Sequence, residues 1–408
     1  MSGRVPVWLL ALTFTTFTFA TDDYVIAGVL PAIARDLAVS EAAAGQLVTG
    51  FSLTFALAAP VASVVTASWP RRALITWALL VFAAANGAAA LTSSYPVLMG
   101  LRVLAAAAAA AVVPAAYAVA ASQAPDGRQG RYLALVMGGL TGSLMLGVPV
   151  GTWVGGWFGW QATFVLGALL GLTSLAAVRR TLPRLAPEPA DGTLRERLAP
   201  LGRPQVVLGL LAIVATVLGS MMVLTYVAPF LRELAGAGPV EVGWVFVLAG
   251  AAGLVGGQLG GRSADRWGAD RALLAGICAF GGVMAAFTAL WELRPLALLV
   301  LLPLLALWAA VSWWIPPPAQ TRLLALAGPA GPQALALNSS AVYVGVSGGG
   351  ALGGVVLEMY GPGLLPAAAA VVEVVALALF WQASRLGRSA GAPAAQASAA
   401  AVRGREQG

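Results

Sequence analysis

The chain has no histidine and no lysine, one cysteine, and a charged fraction of only 10%. Without histidine there is no imidazole to hold a metal or to shuttle protons near neutral pH. The single Cys278 excludes an internal disulfide framework and carries no redox signal. Soluble domains carry about 25% charged residues, so a chain this poor in charge could not cover a globular core with polar side chains. A soluble enzyme, a nucleic-acid binder and a disordered scaffold are excluded together. No metal cluster, nucleotide loop or catalytic triad stands out either, so the reading implies no cofactor, no metal and no enzyme.

What is abundant is apolar: 60% of 408 residues. A spanning helix needs about 20 apolar residues, so twelve would use about 240 and leave short loops with one longer linker. The apolar runs predict twelve helices: α1 over 7–30, α2 over 42–66, α3 over 73–91, α4 over 97–121, α5 over 132–154 and α6 over 161–178. The remainder are α7 over 206–231, α8 over 242–261, α9 over 272–290, α10 over 296–315, α11 over 334–357 and α12 over 364–383. Tyr95-Pro96, Pro125-Asp126-Gly127 and Pro316-Pro317-Pro318 read as breaks. In lipid, only helices can satisfy the backbone of such runs. The fold class is therefore an all-α membrane protein.

Arginine placement predicts its orientation. With alternating helices, 19 of the 23 arginines fall at the end holding both termini; Arg35, Arg232 and Arg294 fall at the other, and Arg102 lies within α4. The positive-inside rule makes both termini cytoplasmic and accounts for the net charge of +7 without nucleic acid. Residues 181–204 are the one long polar stretch and divide the chain into bundles over 1–180 and 205–385. The Ala/Ser/Gly-rich tail over 386–408 reads as disordered. Trp69-Pro70-Arg71-Arg72-Ala73-Leu74 after α2 and Trp267-Gly268-Ala269-Asp270-Arg271-Ala272-Leu273 after α8 match in position, as expected of two parallel six-helix repeats. Alanine, glycine and arginine bias points to a high-GC bacterial genome.

Ionisable groups within membrane helices default to a functional reading. Asp22, Asp23 and Glu373 are the acids within apolar runs, and with no histidine they are the candidate proton carriers. Burial favours the neutral form of a carboxyl and a nearby arginine the charged form, so competition between them makes a proton switch. Asp23, seven residues before Leu30, and Arg102, six or seven after the start of α4, both sit about 10 Å below the same surface. Neighbouring residues point about 100° apart on a helix, so Asp22 and Asp23 cannot both face Arg102. Glu373 in α12 reads as neutral or locally paired. Tyr226, Trp313, Trp314 and Asn338 are candidates for a mostly apolar substrate cavity.

Four segments resemble the major facilitator superfamily, and within it the twelve-helix drug:proton antiporters. They are Thr21 to Pro31, with its paired aspartates; Leu101-Arg102-Val103; Gly147-Val148-Pro149-Val150-Gly151 continuing to Gly155 and Gly156; and Gly261 through Asp265, Arg266 and Gly268. The resemblance implies two pseudo-symmetric bundles working by alternating access, with the acidic position at Asp23 pairing with Arg102. It implies that Gly147, Pro149, Gly151 and Gly155 seal the interface between bundles, and that Gly261, Asp265, Arg266 and Gly268 form a cytoplasmic gating loop. The first-half loop departs from the pattern, with Ala67 and Ser68 at its acidic and following positions, and Ala105-Ala106 replaces the Gln-Gly that often follows the helix 4 arginine. Some actinobacterial chloramphenicol-resistance exporters are similar at Trp-Pro-Arg-Arg. The expectation is a monomeric inner-membrane exporter of hydrophobic small molecules driven by protons; an uptake symporter or a sugar exporter on the same fold is the alternative, and a membrane-embedded sensor or enzyme a more distant one.

Overall fold

The structure, a computed structural model, describes residues 5–125, 128–184 and 198–406. Most of the linker over 181–204 therefore lies outside the described residues. Eleven long apolar helices and one bent pair are long enough to cross a membrane. They are α1 (Val7–Tyr24 with Ile26–Asp36), α2 (Glu41–Val65), α3 (Arg71–Ala89), α4 (Tyr95–Ser122), α5 (Gln129–Phe158) and α6 (Trp160–Thr181). They continue with α7 (Pro204–Thr225 with Val227–Ala235), α8 (Pro239–Trp267), α9 (Ala269–Trp291), α10 (Leu298–Ala327), α11 (Gly331–Tyr360) and α12 (Leu365–Glu406). The end of the molecule where α1 begins is called proximal and the opposite end distal.

The periodicity finds each helix, and local chemistry sets where each one differs from it. Pro316-Pro317-Pro318 does not end α10: it opens the continuation Pro316–Ala327, because proline in a first turn lacks only an N–H that has no intrahelical acceptor. The tail expected to be disordered is helical as far as Glu406, in line with the high helix propensity of alanine. Gly159 and Gly268, at φ +86° and +82°, make the sharp α5–α6 and α8–α9 turns in a backbone region that favours glycine.

The first helix of each half breaks at a similar place. The two segments of α1 meet at Val25 with a bend of 43°, and α7 breaks at Tyr226, with φ −110° and ψ 23°. The short distal segments beyond these breaks pack against one another. One apolar core fills the first bundle, and another fills the second and reaches Ala27, Leu144 and Val148 of the first. A third buried cluster belongs to both bundles: Ile26, Leu30 and Leu47 from the first half meet Met222, Tyr226 and Val346 from the second.

α5 carries one irregularity. A π-helical turn over Ser143–Gly147 lies just before Pro149, whose ring supplies no N–H to the ladder. π-turns of this length accommodate one extra residue within a continuing helix.

Candidate functional site

Halfway along α1 the backbone presents Asp22 and Asp23 in different directions, and both are buried. The Nη1 of Arg102 lies 2.5 Å from Oδ2 of Asp22, with both side chains almost wholly buried. The ion pair is therefore Asp22–Arg102, which corrects the expected Asp23–Arg102 pairing. The two depths are close, and the 100° rotation between neighbouring residues turns Asp22 towards α4 and α6. Asn86 of α3 and Gly167 of α6 sit beside Asp22, and the Arg102 guanidinium rests 4.4 Å from the ring centre of Phe51. Among the described residues, neither carboxyl oxygen of Asp23 has a hydrogen-bond partner, nor have Nε and Nη2 of Arg102. Asp23 nonetheless stays within electrostatic reach of Arg102, of Asp22, and of Tyr343 on α11. The site thus holds two adjacent carboxyls, one neutralised by a guanidinium and one without a hydrogen-bond partner among the described residues.

One turn before these acids, a cavity of about 30 Å³ lies in the first bundle, walled by Thr16, Phe19, Phe51, Phe55 and Tyr117 and closed by Tyr343 of the second. Phe55 and Tyr343 stack across it with centroids 3.8 Å apart. A drug-sized molecule needs a pocket of roughly 300 Å³ or more, so this space would have to widen by movement of one bundle on the other. Phe51, Phe55, Tyr117 and Tyr343 do not stand out in sequence, because an aromatic residue in a membrane helix looks the same facing lipid or a neighbouring helix. The one available signal was the i, i+4 spacing of Phe51 and Phe55.

The four expected substrate contacts lie elsewhere. Tyr226 is fully buried in the distal seam, where its hydroxyl donates to the Gly350 carbonyl at 2.7 Å and its ring fits against Gly45, Gly353 and Gly354. Trp313 packs on Gly253, and Trp314 on Gly260 and Gly276; the Trp314 indole N–H donates to the Ala272 carbonyl at 3.2 Å. Both tryptophans belong to packing within the second bundle. Asn338 is buried in α11, and its Oδ1 has no hydrogen-bond partner among the described residues. Glu373 is 1% exposed and lies against Gly219 of α7, again with no hydrogen-bond partner among the described residues.

The α5 glycines also face a different way from the expectation. Gly147, Gly151 and Gly155 lie against Thr21, Val25 and Val29 of α1 in turn. This ladder of small residues brings α1 and α5 of one bundle close together; it does not seal the interface between bundles. A different face of α5 meets the second bundle. The Trp153 indole donates to the Val240 carbonyl at 3.1 Å, Gly156 meets the Pro239 ring, and Gly250 of α8 packs on the Met145 backbone.

At the proximal end, Gly261 has open space around it and Gly268 supplies the positive-φ turn. Asp265 and Arg266 are exposed, and among the described residues neither makes an ion pair or hydrogen bond. The ion pair of this region is Asp270–Arg322 at 2.9 Å, and Arg322 Nε also donates to Ser384 Oγ at 3.2 Å, tying α9, α10 and α12 together. Distally, Arg232 at the end of α7 makes two hydrogen bonds to Glu41 at the start of α2, at 2.6 and 3.2 Å. This ion pair joins the two bundles.

Comparison with known proteins agrees with this architecture. The chain is 33% identical over 358 residues to an uncharacterized MFS-type transporter, YbcL, of Bacillus subtilis strain 168, covering 88% of this chain and 90% of the relative. It is 33% identical over 348 residues to a chloramphenicol resistance protein of Streptomyces lividans, covering 85% and 87%. It is 30% identical over 392 residues to the inner membrane transport protein YdhP of Escherichia coli K12, covering 92% and 96%. Among solved structures, an inward-facing, unoccupied bacterial homolog of the human lysosomal transporter Spinster superposes with a TM-score of 0.72 at 18% identity, over 95% of this chain and 99% of that one, a likeness of fold. Residues 12–332 match the Major Facilitator Superfamily, and with twelve spans in two bundles the chain belongs to that family of membrane transporters.

Proposed function

We propose that the chain exports hydrophobic small molecules from a bacterial cytoplasm in exchange for protons. The observation that carries this reading is the pair of adjacent buried carboxyls beside an aromatic cavity closed by Tyr343 of the second bundle, with Asp22 held by Arg102 and Asp23 without a hydrogen-bond partner among the described residues. A carboxylate already matched to a guanidinium gains little from a proton, whereas an unpartnered buried charge is costly and a proton removes it. Asp23 is therefore the proton carrier and Asp22 the fixed partner of Arg102. Protonation of Asp23 alters the balance of charge around Arg102, and a substrate entering among Phe51, Phe55 and Tyr343 meets that change. Coupling requires only that substrate affinity differ between the two protonation states.

The aromatic lining suits an uncharged substrate carrying a ring, and the Streptomyces relative, named for chloramphenicol resistance, makes amphenicols the first compounds to try. The arginine asymmetry supports an inner-membrane protein with cytoplasmic termini. On that orientation the distal seam, with Glu41–Arg232, Trp153 and Tyr226, is the outer gate, and the loop from Gly261 to Gly268 together with Asp270–Arg322 belongs to the inner one. A monomer suffices, since both bundles are in one chain. Uptake by symport would use the same carboxyls.

The test is drug-susceptibility profiling in an efflux-deficient host, followed by pH-gradient-driven transport of any hit in proteoliposomes by wild type and Asp23→Asn. Export driven by an inward proton gradient, abolished in Asp23→Asn, supports the reading. Substrate moving with the proton would establish uptake instead, and normal gradient-driven export by Asp23→Asn would remove Asp23 from the mechanism.

A further inference from the structure

A second cavity lies at the proximal end of the first bundle, on the outer side of α3 and α6. It measures about 750 Å³ and is open along one side. Its rim is cationic and its wall apolar: Arg72, Arg179 and Arg184 stand over Trp77, Leu80 and Leu175. Among the described residues no acidic side chain lines it, and none of the three arginines forms an ion pair.

The cations are set in place by the fold. A guanidinium nitrogen of Arg72 donates to the Arg179 carbonyl at the end of α6, which holds one charge at the mouth. The first turn of α3 has no side-chain cap and no acid, so its backbone N–H groups add to the positive field. The matched loop of the second bundle differs. There Asp270 neutralises the region and is itself paired with Arg322.

Depth sorts the lining by chemistry. Trp77 lies five residues, about 8 Å, below Arg72 along α3, and Leu80 about 12 Å below it. Charge at the surface, an indole at the headgroup level and aliphatic side chains deeper follow the layers of a bilayer leaflet. Basic pockets between helices at a membrane face attract anionic lipid headgroups.

The geometry points to this groove as a binding site for an anionic phospholipid of the leaflet at the proximal face, its phosphate held by Arg179, Arg184 and Arg72 and one acyl chain lying along Trp77, Leu80 and Leu175. A free phosphate would use the arginines but leave the apolar wall empty, which is why a lipid is the better occupant. The site is independent of the direction of transport and of the proton carrier.

The experiment uses the full chain in phosphatidylcholine nanodiscs doped with phosphatidylglycerol brominated on its acyl chains. The signal from Trp77 is the difference in fluorescence quenching between wild type and Trp77→Phe. Saturable quenching at low mole fractions of brominated phosphatidylglycerol, and only bulk quenching by brominated phosphatidylcholine, is the expected result. Arg179→Gln and Arg184→Gln should each weaken the apparent affinity about fivefold, while Arg271→Gln in the second bundle should not change it. Arg72 is left intact because it also holds α6. Equal quenching by the two lipids would overturn the proposal. So would displacement by millimolar inorganic phosphate, which would mean a free-anion site, or no Trp77 quenching by either lipid, which would mean that the chain itself covers the groove.

Discussion

The two ends of this molecule are fastened on different principles. At the distal end the contacts cross between bundles: Glu41 with Arg232, Trp153 with Val240, the Tyr226 ring with Gly45, and Thr49 with Ser347. At the proximal end they stay within a bundle: Arg72 with Arg179 in the first, and Asp270, Arg322 and Ser384 in the second, where Arg203 also donates to the Ala327 carbonyl. The distal contacts therefore join the two bundles to one another, and the proximal ones hold each bundle together. The acidic site sits between these zones, with the Asp22–Arg102 pair inside one bundle and Asp23 turned towards the other.

The sharpest test of this division is Arg102→Ala. It leaves the Asp22 carboxyl buried without its cation, a loss of about 3–5 kcal/mol, and should lower the detergent-solubilised melting temperature more than any substitution at either end. A melting temperature close to wild type would mean that the pair does not hold the first bundle together. Next in size is Gly45→Leu, whose side chain would enter the space filled by the Tyr226 ring. Spin labels on the distal loops of the two bundles should move apart in this variant, while Gly261→Leu, with open space around it, should leave that distance unchanged. Unaltered distal distances in Gly45→Leu would remove the seam from the description of the closed end.

Smaller again is Glu41→Gln. The ion pair it breaks is partly exposed, and such pairs contribute about 0–1 kcal/mol. A modest shift towards distal opening is expected, matched by Arg232→Gln and not enhanced when the two are combined; additive effects would mean that the residues act separately. The least change is expected from Asp265→Asn, because that carboxyl is exposed and engages none of the described residues. Asp270→Asn should slow transport more, since it releases Arg322. The reverse order would return the proximal gating role to Asp265.

Much of the fold was legible because the length and spacing of apolar runs are imposed by lipid thickness, and the arginine count depends only on which loops lie together. The acidic site was legible in part. Asp22, Asp23 and Arg102 stand out because charge in an apolar run is rare, and their common depth follows from helical rise. Which aspartate meets Arg102 was not legible, because one residue changes the direction by 100° while changing the depth by only 1.5 Å. The same limit explains the α5 glycines: their spacing announces close packing but not whether the neighbour is α1 or α8. Tyr226, Trp313 and Trp314 were unreadable for a related reason, since a large side chain set among glycines looks in sequence like one facing a cavity.

The π-turn over Ser143–Gly147 sets the phase of everything that follows it in α5. A helix that kept every residue but wound regularly through this turn would rotate its distal half by about 100° relative to the proximal half. Gly151 and Gly155 would leave the α1 ladder, and Trp153 would leave Val240. The extra residue acts as a phase shifter, letting one helix present a ladder of glycines to α1 of its own bundle and an indole to α8 of the other. A single-residue deletion in this turn should therefore be tolerated better than a single-residue insertion, since a regular helix one residue shorter keeps Gly151, Gly155 and Trp153 on their partners; the melting temperatures of the two variants check the order.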